Sequence, residues 1–317
     1  MRYILDPELA AVAASLPKAD LSDLAAAREA EQMVSAHLPV HESSVPLSVQ
    51  DMTIPGPPGA PDVRARVYAP AERSRPLPGL LYLHGGGFVM GGLALIDSPA
   101  RMLAERAGVV VVAVDYRLAP EHAYPAALED SYAALVWAGD RGGDHGIDTE
   151  RLGVLGESAG GGLAAALTML TRERGGPRLI AQFLDAPTVD DRLNTPSMRN
   201  LPDTPVWQSV NSPISWSHYL HGTATPGAPD VPVHAAPARA KTADLEGLPP
   251  ALVVAYQVDP TRDEGLDYAR LLIEAGVPTD IRHYGKAFHA AHFIPGTVVG
   301  TRMINDRIEA VRAMLAG

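Results

Sequence analysis

The middle of the chain carries the sequence LGVLGESAGGGLAAALTML at residues 152–170. Its first four residues are mostly apolar, the next five are Gly156-Glu157-Ser158-Ala159-Gly160, and helix-forming residues follow from Leu163. A serine flanked by two glycines fits a tight strand-to-helix turn, because the glycines leave room for a strained backbone. The helix N-terminus then places positive potential behind the hydroxyl. The pattern predicts a reactive serine at Ser158, and a purely structural turn is the alternative.

Short apolar runs and helix-length stretches alternate on both sides of this segment. Such runs fit strands that are buried on both faces, as a parallel sheet with crossover helices requires. The runs are Gly79–Leu83, Val109–Val114, Leu152–Leu155, Ile180–Leu184, Ala251–Tyr256 and Thr279–Tyr284. Before them, Ser48–Ile54 and Val63–Tyr68 alternate with period two, which predicts an antiparallel hairpin. The predicted fold class is α/β, with a mostly parallel sheet of about eight strands and helices on both faces.

Two regions lie outside this alternation. Residues 6–45 show a modest helical periodicity, and residues 188–245 are rich in Pro, Asn, Ser and Asp without a strand signal. A long insertion inside a compact domain usually covers a site. We therefore predict an N-terminal helical segment at 1–45 and a catalytic domain at 46–317.

The composition excludes several classes of protein. Apolar residues make up 46% of the chain and charged residues 20%, a balance that can fill a large core. The 26 Lys and Arg against 37 Asp and Glu give a net charge of −11, so we expect neither nucleic acid nor a membrane surface as a partner. Cys is absent, which excludes disulfides and a cysteine nucleophile. The chain shows no membrane-length apolar run, and Met1–Glu8 lacks the features of a secretory signal, so we expect a cytoplasmic protein.

A second motif, His84-Gly85-Gly86-Gly87-Phe88, follows the apolar residues 80–83. Consecutive glycines expose backbone N–H groups, which are the donors needed to hold a developing alkoxide. The alternative is a flexible loop or a phosphate-binding loop, although the lysine or the Gly-x-Gly-x-x-Gly spacing of such loops is not clear here. No dinucleotide fingerprint follows the first parallel strand, so we expect no NAD, no FAD and no other cofactor.

A serine nucleophile needs a base and an orienting acid. Asp259 falls just past the predicted strand Ala251–Tyr256, and His289 follows the next predicted strand. Both residues are therefore expected at the carboxyl edge of the sheet, where Ser158 also lies. The chain order Ser158, Asp259, His289 is the order expected for this type of sheet.

Other residues compete for these two roles. Asp263 and Glu264 lie four and five residues beyond Asp259, where they resemble first-turn acids that stabilise a helix through its dipole. His292 lies three residues beyond His289 and is an alternative base or a neighbour with a structural role.

The remaining histidine pairs and aromatic residues have simpler explanations. A catalytic zinc site needs three protein ligands, and neither His218-x-x-His221 nor His289-x-x-His292 comes with a recognisable third ligand, so we expect no metal. The aromatic residues Trp207, Trp216 and Tyr219 either close a small core of their own or line a pocket that favours apolar groups.

Four segments together resemble the hormone-sensitive-lipase-like branch of the α/β-hydrolase superfamily, which contains bacterial carboxylesterases. They are His84–Phe88, residues 115–127, Gly156–Gly161, and Asp259–Gly265 with Tyr284–His289. They occur in the family's order and at similar separations, and the resemblance covers the chain from about residue 45. It implies an α/β-hydrolase fold with a helical cap formed by residues 1–45 and an insertion at about 188–225.

The resemblance also implies a role for each matching residue. The implied catalytic residues are Ser158 as nucleophile, Asp259 as acid and His289 as base. The implied oxyanion hole consists of the backbone N–H groups of Gly86, Gly87 and Ala159, supported by the motif residues His84, Gly85 and Glu157. Residues 115–121 would brace the glycine loop.

The chain departs from the family pattern at three places. Glu157 stands where many relatives have Asp, and Thr261 stands where Leu is frequent. Ala290-Ala291 follows His289, where a glycine is common and would adopt a positive φ more easily.

The predicted function is that of a serine carboxylesterase that hydrolyses short- to medium-chain or aryl carboxylic esters through an acyl-enzyme. Two alternatives stay open: an amidase or deacetylase acting on small N-acyl compounds, and a non-catalytic ligand-binding homologue. Because the chain retains a candidate for every catalytic role, catalysis is favoured. The expected partner is a small-molecule ester, and pairing through an edge strand or the helix predicted at Thr301–Leu315 would give a homodimer.

Overall fold

The apolar runs form one eight-stranded sheet in the computed structural model, which describes residues 3–16, 18–294 and 296–316. The strands are β1 (Leu47–Ile54), β2 (Val63–Pro70), β3 (Leu77–Leu83), β4 (Val110–Asp115), β5 (Ile147–Glu157), β6 (Leu179–Asp185), β7 (Ala251–Val258) and β8 (Thr279–Phe288). Their order across the sheet is β1-β2-β4-β3-β5-β6-β7-β8. β2 is antiparallel to both β1 and β4, and all the other neighbours are parallel. The predicted α/β class, strand number and hairpin are confirmed.

Ten α-helices accompany the sheet in the described part of the chain. They are α1 (Pro7–Ala13), α2 (Leu24–Ala36), α3 (Leu93–Met102), α4 (Ala126–Arg141), α5 (Ala159–Arg174), α6 (Pro196–Asn200), α7 (Ser212–Tyr219), α8 (Thr242–Leu245), α9 (Arg262–Glu274) and α10 (Val298–Leu315). None of these helices combines the length and the apolar character needed to cross a lipid bilayer.

The sheet is buried on both faces, which explains the unbroken apolar runs. Along β3, Leu81 and Leu83 point into the core covered by α4, α5 and α9, whereas Leu80 and Tyr82 point into the core covered by α3 and α10. All four side chains are at most 3% exposed. Since the strands β3 to β8 are parallel, the residues that follow their carboxyl ends lie at one edge of the sheet.

Strand β8 is longer than the sequence predicted. It continues past Tyr284 to Phe288, so His289 follows the strand directly instead of lying in a longer loop. The register between β7 and β8 shifts near the end of the pair, and Lys286 there has a φ of 61°. This irregularity interrupts the period-two pattern, which is why the sequence indicated an earlier end.

The two regions outside the alternation form helices beside the sheet. Residues 1–45 contain α1 and α2, and the predicted insertion at 188–225 contains α6 and α7. Leu9 of α1 is fully buried in the core next to α3 and α10. Of the predicted domains, residues 1, 2, 17, 295 and 317 lie outside the described residues.

We expect the core of α5 to contribute strongly to stability. Leu167 is fully buried, so Leu167→Ala would remove apolar contacts and leave a cavity, lowering the free energy of unfolding by about 2–5 kcal/mol. Thermal unfolding followed by circular dichroism would show a lower Tm. The matched control is Val298→Ala, at a side chain that is 75% exposed, and its effect is expected within about 0.5 kcal/mol. Equal shifts in both variants would contradict this account of the core.

Candidate active site

Ser158 lies on a strained turn between β5 and α5. Its φ is 54° and its ψ is −118°, a conformation that non-glycine residues rarely adopt. The flanking glycines permit the turn because a Cβ on Gly156 would lie 1.9 Å from the carbonyl oxygen of Gly160. A Cβ on Gly160 would in turn lie 2.2 Å from the carbonyl oxygen of Leu83. Only glycine fits at these two positions.

Backbone hydrogen bonds hold Ser158 in this conformation. Its N–H donates to the carbonyl oxygen of Asp185 at 2.8 Å, and its own carbonyl accepts from the N–H groups of Thr188 at 3.0 Å and Gly162 at 3.1 Å. Its hydroxyl makes no hydrogen bond among the described residues and lines a pocket. The turn therefore fixes the backbone and leaves the hydroxyl available.

Asp259 and His289 meet at the ends of the neighbouring strands β7 and β8. Nδ1 of His289 lies 2.8 Å from Oδ2 of Asp259, and the aspartate is completely buried. Oδ1 of Asp259 accepts from both the N–H and the hydroxyl of Thr261, each at 2.9 Å. Both carboxylate oxygens are thus occupied, which fixes the orientation of the carboxylate and of the ring. With Nδ1–H donating to Asp259, Nε2 is left as the proton acceptor.

The charge of Asp259 also sets the protonation of His289. Burial lowers the pKa of the ring, but the negative charge of Asp259 and its hydrogen bond outweigh burial and raise the pKa above its ordinary value of 6.5. The backbone after the ring adopts a left-handed conformation at Ala290, with a φ of 58°. An alanine therefore occupies the conformation that glycine would adopt more easily.

Ser158 and His289 line the same pocket, which has a volume of about 620 Å³. No hydrogen bond joins the serine hydroxyl to the imidazole among the described residues. Such catalytic hydrogen bonds often tighten only when substrate is bound. The structure thus brings the predicted nucleophile and base to one pocket, and the predicted acid is buried behind the base with the Asp259–His289 bond already formed.

The competing residues make other contacts. Nδ1 of His292 lies 2.9 Å from the hydroxyl of Tyr256, away from Asp259. Asp263 and Glu264 lie in the first turn of α9, as expected. Glu264 accepts the N–H of Val189 at 2.9 Å, and burial raises its pKa well above the ordinary value.

The N–H of Gly86 is oriented through the carbonyl of its own peptide group. Nδ1 of His84 donates to the carbonyl oxygen of Gly85 at 2.7 Å, which fixes the peptide between Gly85 and Gly86. His84 is fully buried, and burial lowers its pKa, so the ring is neutral. It stacks on Tyr116, with ring centroids 4.1 Å apart. Because the C=O and N–H of a trans peptide point in opposite directions, the histidine that binds the Gly85 carbonyl also fixes the direction of the Gly86 N–H.

The N–H of Gly87 is oriented in the same way. The carbonyl oxygen of Gly86 accepts from the N–H groups of Val89 at 3.1 Å and Met90 at 3.0 Å. The N–H groups of Gly86 and Gly87 donate to no other group among the described residues. Ala159 is the first residue of α5, where an N–H has no partner within the helix. In the part of the chain that the structure describes, the N–H groups of Gly86, Gly87 and Ala159 are therefore without an acceptor.

The helices outside the sheet alternation hold the glycine loop in place. The hydroxyl of Ser215 in α7 donates to the carbonyl oxygen of Gly87 at 2.6 Å. Arg28 in α2 donates to the carbonyl oxygens of Val89 at 2.7 Å and Ala119 at 2.8 Å. Contacts from two distant regions of the chain thus meet on the loop that carries the N–H groups of Gly86 and Gly87.

The pocket is lined both by residues at the sheet edge and by the outer segments. Trp207 and residues of α2 such as Ala27, Ala30 and Val34 line it together with Ser158. Trp216 and Tyr219, in contrast, are buried in the core against Phe88. Of the three aromatic residues, only Trp207 contributes to the pocket wall.

A charged group that no sequence motif revealed lies beneath Ser158. Arg307 of α10 contacts the carboxylates of both Glu157 and Asp185. A signal was present, because Met303, Arg307 and Val311 repeat at a spacing of four residues along one helix face, and two of the three are fully apolar and buried. A lone cation on a buried helix face indicates a buried partner.

The chain is similar to several known proteins. Residues 80–293 match a family model described as the alpha/beta hydrolase fold. The chain is 40% identical over 245 residues to "Carboxylesterase NlhH" of Mycobacterium tuberculosis, covering 77% of this chain and 75% of that protein. It is 38% identical over 282 residues to "Esterase LipI" of the same species, with 88% and 85% covered. The solved structure "Bacterial Heroin Esterase" superposes with a TM-score of 0.94 at 39% identity, covering 98% of each chain.

We expect His84 to matter through the peptide that it orients. His84→Phe would keep a ring against Tyr116 but lose the bond to Gly85, so the Gly86 N–H would lose its fixed direction. Turnover of an ester substrate, measured as kcat, should fall roughly 10- to 100-fold, while KM changes much less. His145→Phe, at a partly exposed ring beside Trp137, is the matched control and should retain parental kcat. Parental kcat in His84→Phe would refute this role.

Proposed function

The chain belongs to the α/β-hydrolase family, and we propose that it acts as a serine carboxylesterase with Ser158 as nucleophile, His289 as base and Asp259 as acid. The observation that carries the proposal is that His289 lines the same pocket as Ser158 and binds the buried Asp259 at 2.8 Å. The esterase names of the relatives support an ester as the substrate.

In the first half of the reaction, Nε2 of His289 takes the proton of Ser158 while the hydroxyl oxygen attacks the ester carbonyl. The carbonyl oxygen becomes negatively charged and accepts from the N–H groups of Gly86, Gly87 and Ala159. The tetrahedral intermediate collapses, the bond to the alcohol breaks, and His289 returns the proton to the leaving alcohol. Ser158 is left as the acyl-enzyme.

In the second half, water replaces the alcohol. His289 takes a proton from the water, the hydroxide attacks the acyl carbonyl, and Ser158 leaves with the proton. Asp259 keeps the ring in the Nδ1–H tautomer throughout and stabilises the imidazolium that forms in each step. Thr261 supports Asp259 by occupying its second oxygen.

The pocket supports short- to medium-chain or aryl esters as substrates. Its walls are largely apolar, and a volume of about 620 Å³ is within the range of pockets for small organic ligands. We further propose that residues 1–45 and 188–225 form the cap, since α2 and Trp207 line the pocket that contains Ser158. A cytoplasmic location and a homodimer stay predictions from the sequence.

Removal of the nucleophile is the direct test. Ser158→Ala should lower kcat for p-nitrophenyl butyrate by several orders of magnitude and leave the circular dichroism spectrum unchanged. Ser74→Ala, at an exposed serine between β2 and β3, is the matched control and should retain parental activity. An organophosphonate probe followed by peptide mapping should label Ser158 alone. Parental hydrolysis by Ser158→Ala, or labelling elsewhere, would overturn the proposal.

The pH dependence follows from the raised pKa of His289. The base must be neutral to accept a proton. The value of kcat/KM should therefore reach its maximum at high pH and fall as the pH drops through the pKa of His289 in the folded protein. Because that pKa is raised, the midpoint should lie above the ordinary value of 6.5. The measurement is kcat/KM between about pH 5 and 9, with acid-incubated samples assayed again at about pH 8 to exclude unfolding. A flat profile down to about pH 5 would contradict the role of His289.

A further inference from the structure

A buried arginine joins two carboxylates directly beneath the nucleophile turn. Nη1 of Arg307 lies 2.5 Å from Oε1 of Glu157, and Nη2 lies 2.5 Å from Oδ2 of Asp185. The three side chains are 10%, 6% and 9% exposed, respectively. Paired charges interact more strongly when water is excluded, and a buried charge without its partner is strongly unfavourable.

Tyrosine and histidine side chains complete this cluster. Tyr82 donates to Glu157 at 2.7 Å, and Tyr256 donates to Asp185 at 2.8 Å. Since the Tyr256 proton points to Asp185, its oxygen accepts from Nδ1–H of His292 at 2.9 Å. Nε2 of His292 lies 2.9 Å from Nη2 of Arg307 and 3.3 Å from Oε1 of Glu157. His292 thus contacts the cluster through both ring nitrogens.

Both carboxylate residues also control the backbone of Ser158. Glu157 precedes it in the chain, and the carbonyl oxygen of Asp185 accepts its N–H at 2.8 Å. By binding the two side chains at once, Arg307 fixes the residues on either side of a backbone with a φ of 54°. Such strained conformations persist only where surrounding contacts over-determine them.

The cluster also contributes charge near the base. Glu157 and Asp185 carry one negative charge each and Arg307 one positive charge, which gives −1 − 1 + 1 = −1. Burial lowers the pKa of His289 and the adjacent Asp259 raises it; Asp185 and Glu157 raise it further. The other charged residues that line the pocket belong to the N-terminal segment: Lys18, Asp20, Asp23 and Glu31. Arg307 is thus the cation that contacts the two pocket-lining carboxylates, Glu157 and Asp185.

We propose that Arg307 is a positioning residue that holds the strained turn at Ser158 through its two carboxylate contacts and limits the negative charge that acts on His289. This inference rests on the proposed role of His289 as the base. It predicts two separable effects. The value of kcat should depend on the contacts of Arg307 with both carboxylates, and the midpoint of the acid limb should depend on the net charge of the cluster.

The test uses three variants of the full chain: Arg307→Gln, Glu157→Gln and the combination of both. Their cluster charges are −2, 0 and −1, compared with −1 in the parent. The midpoint of the acid limb of kcat/KM, measured with p-nitrophenyl acetate, should therefore rise by about one pH unit in Arg307→Gln and fall by a similar amount in Glu157→Gln. It should return to the parental position in the combined variant. Arg312→Gln removes an exposed charge from the same helix and is the matched control.

Turnover should depend on whether Arg307 contacts both carboxylates, and not on the net charge of the cluster. The value of kcat above the limb should fall roughly 10- to 100-fold both in Arg307→Gln and in the combined variant. The concentration of active sites, titrated with an organophosphonate, normalises each rate to folded protein. Glu157→Gln keeps the arginine and tests the charge effect even if Arg307→Gln fails to fold.

The outcomes distinguish this inference from the proposed function. If the parent hydrolyses the ester but the limb midpoints do not follow the order Glu157→Gln, parent, Arg307→Gln, the charge role is wrong. If kcat per active site is parental in Arg307→Gln, the positioning role is wrong. If the parent has no hydrolytic activity or no acid limb, the proposed function itself fails first.

Discussion

The backbone of Ser158 must be held in a conformation that it would leave if it were free, and the site depends on this constraint. Two glycines allow the turn to close against Leu83, and the carbonyl oxygen of Asp185 holds the serine N–H. Because the turn is closed from both sides, α5 begins immediately after the serine, and its first N–H group lies beside the hydroxyl. Strand pairing between β5 and β6 therefore determines the position of Ser158 as much as the motif does.

The functional groups around Ser158 share one principle of construction: the opposite end of each group is bound by the protein. The peptides that carry the N–H groups of Gly86 and Gly87 are held at their carbonyl oxygens. Asp259 is held at one oxygen so that the other can bind His289. Each group is thus oriented before substrate arrives, and little reorganisation is needed as charge develops.

The sequence predicted the sheet and the three catalytic candidates because both depend on local signals. Apolar runs mark strands buried on both faces, and residues that follow parallel strands must share an edge, whatever loops intervene. The predicted end of β8 was wrong because the irregularity at Lys286 resembles the end of a strand. The spacing along α10 indicated that Arg307 has a buried partner, but the identity of that partner could not be predicted. Arg307 lies 150 residues from Glu157 in the chain and 122 from Asp185, and pairing over such separations has no local pattern.

The attachment of α2 has a consequence for how this molecule can diversify. Arg28 binds main-chain oxygens of Val89 and Ala119, and every residue type offers such an oxygen. Sequence drift at those two sites therefore leaves the anchor intact. Other side chains of α2, such as Ala27, Ala30 and Val34, line the pocket but do not form this anchor. Exchanges at those positions can change which molecules the pocket admits while α2 stays attached.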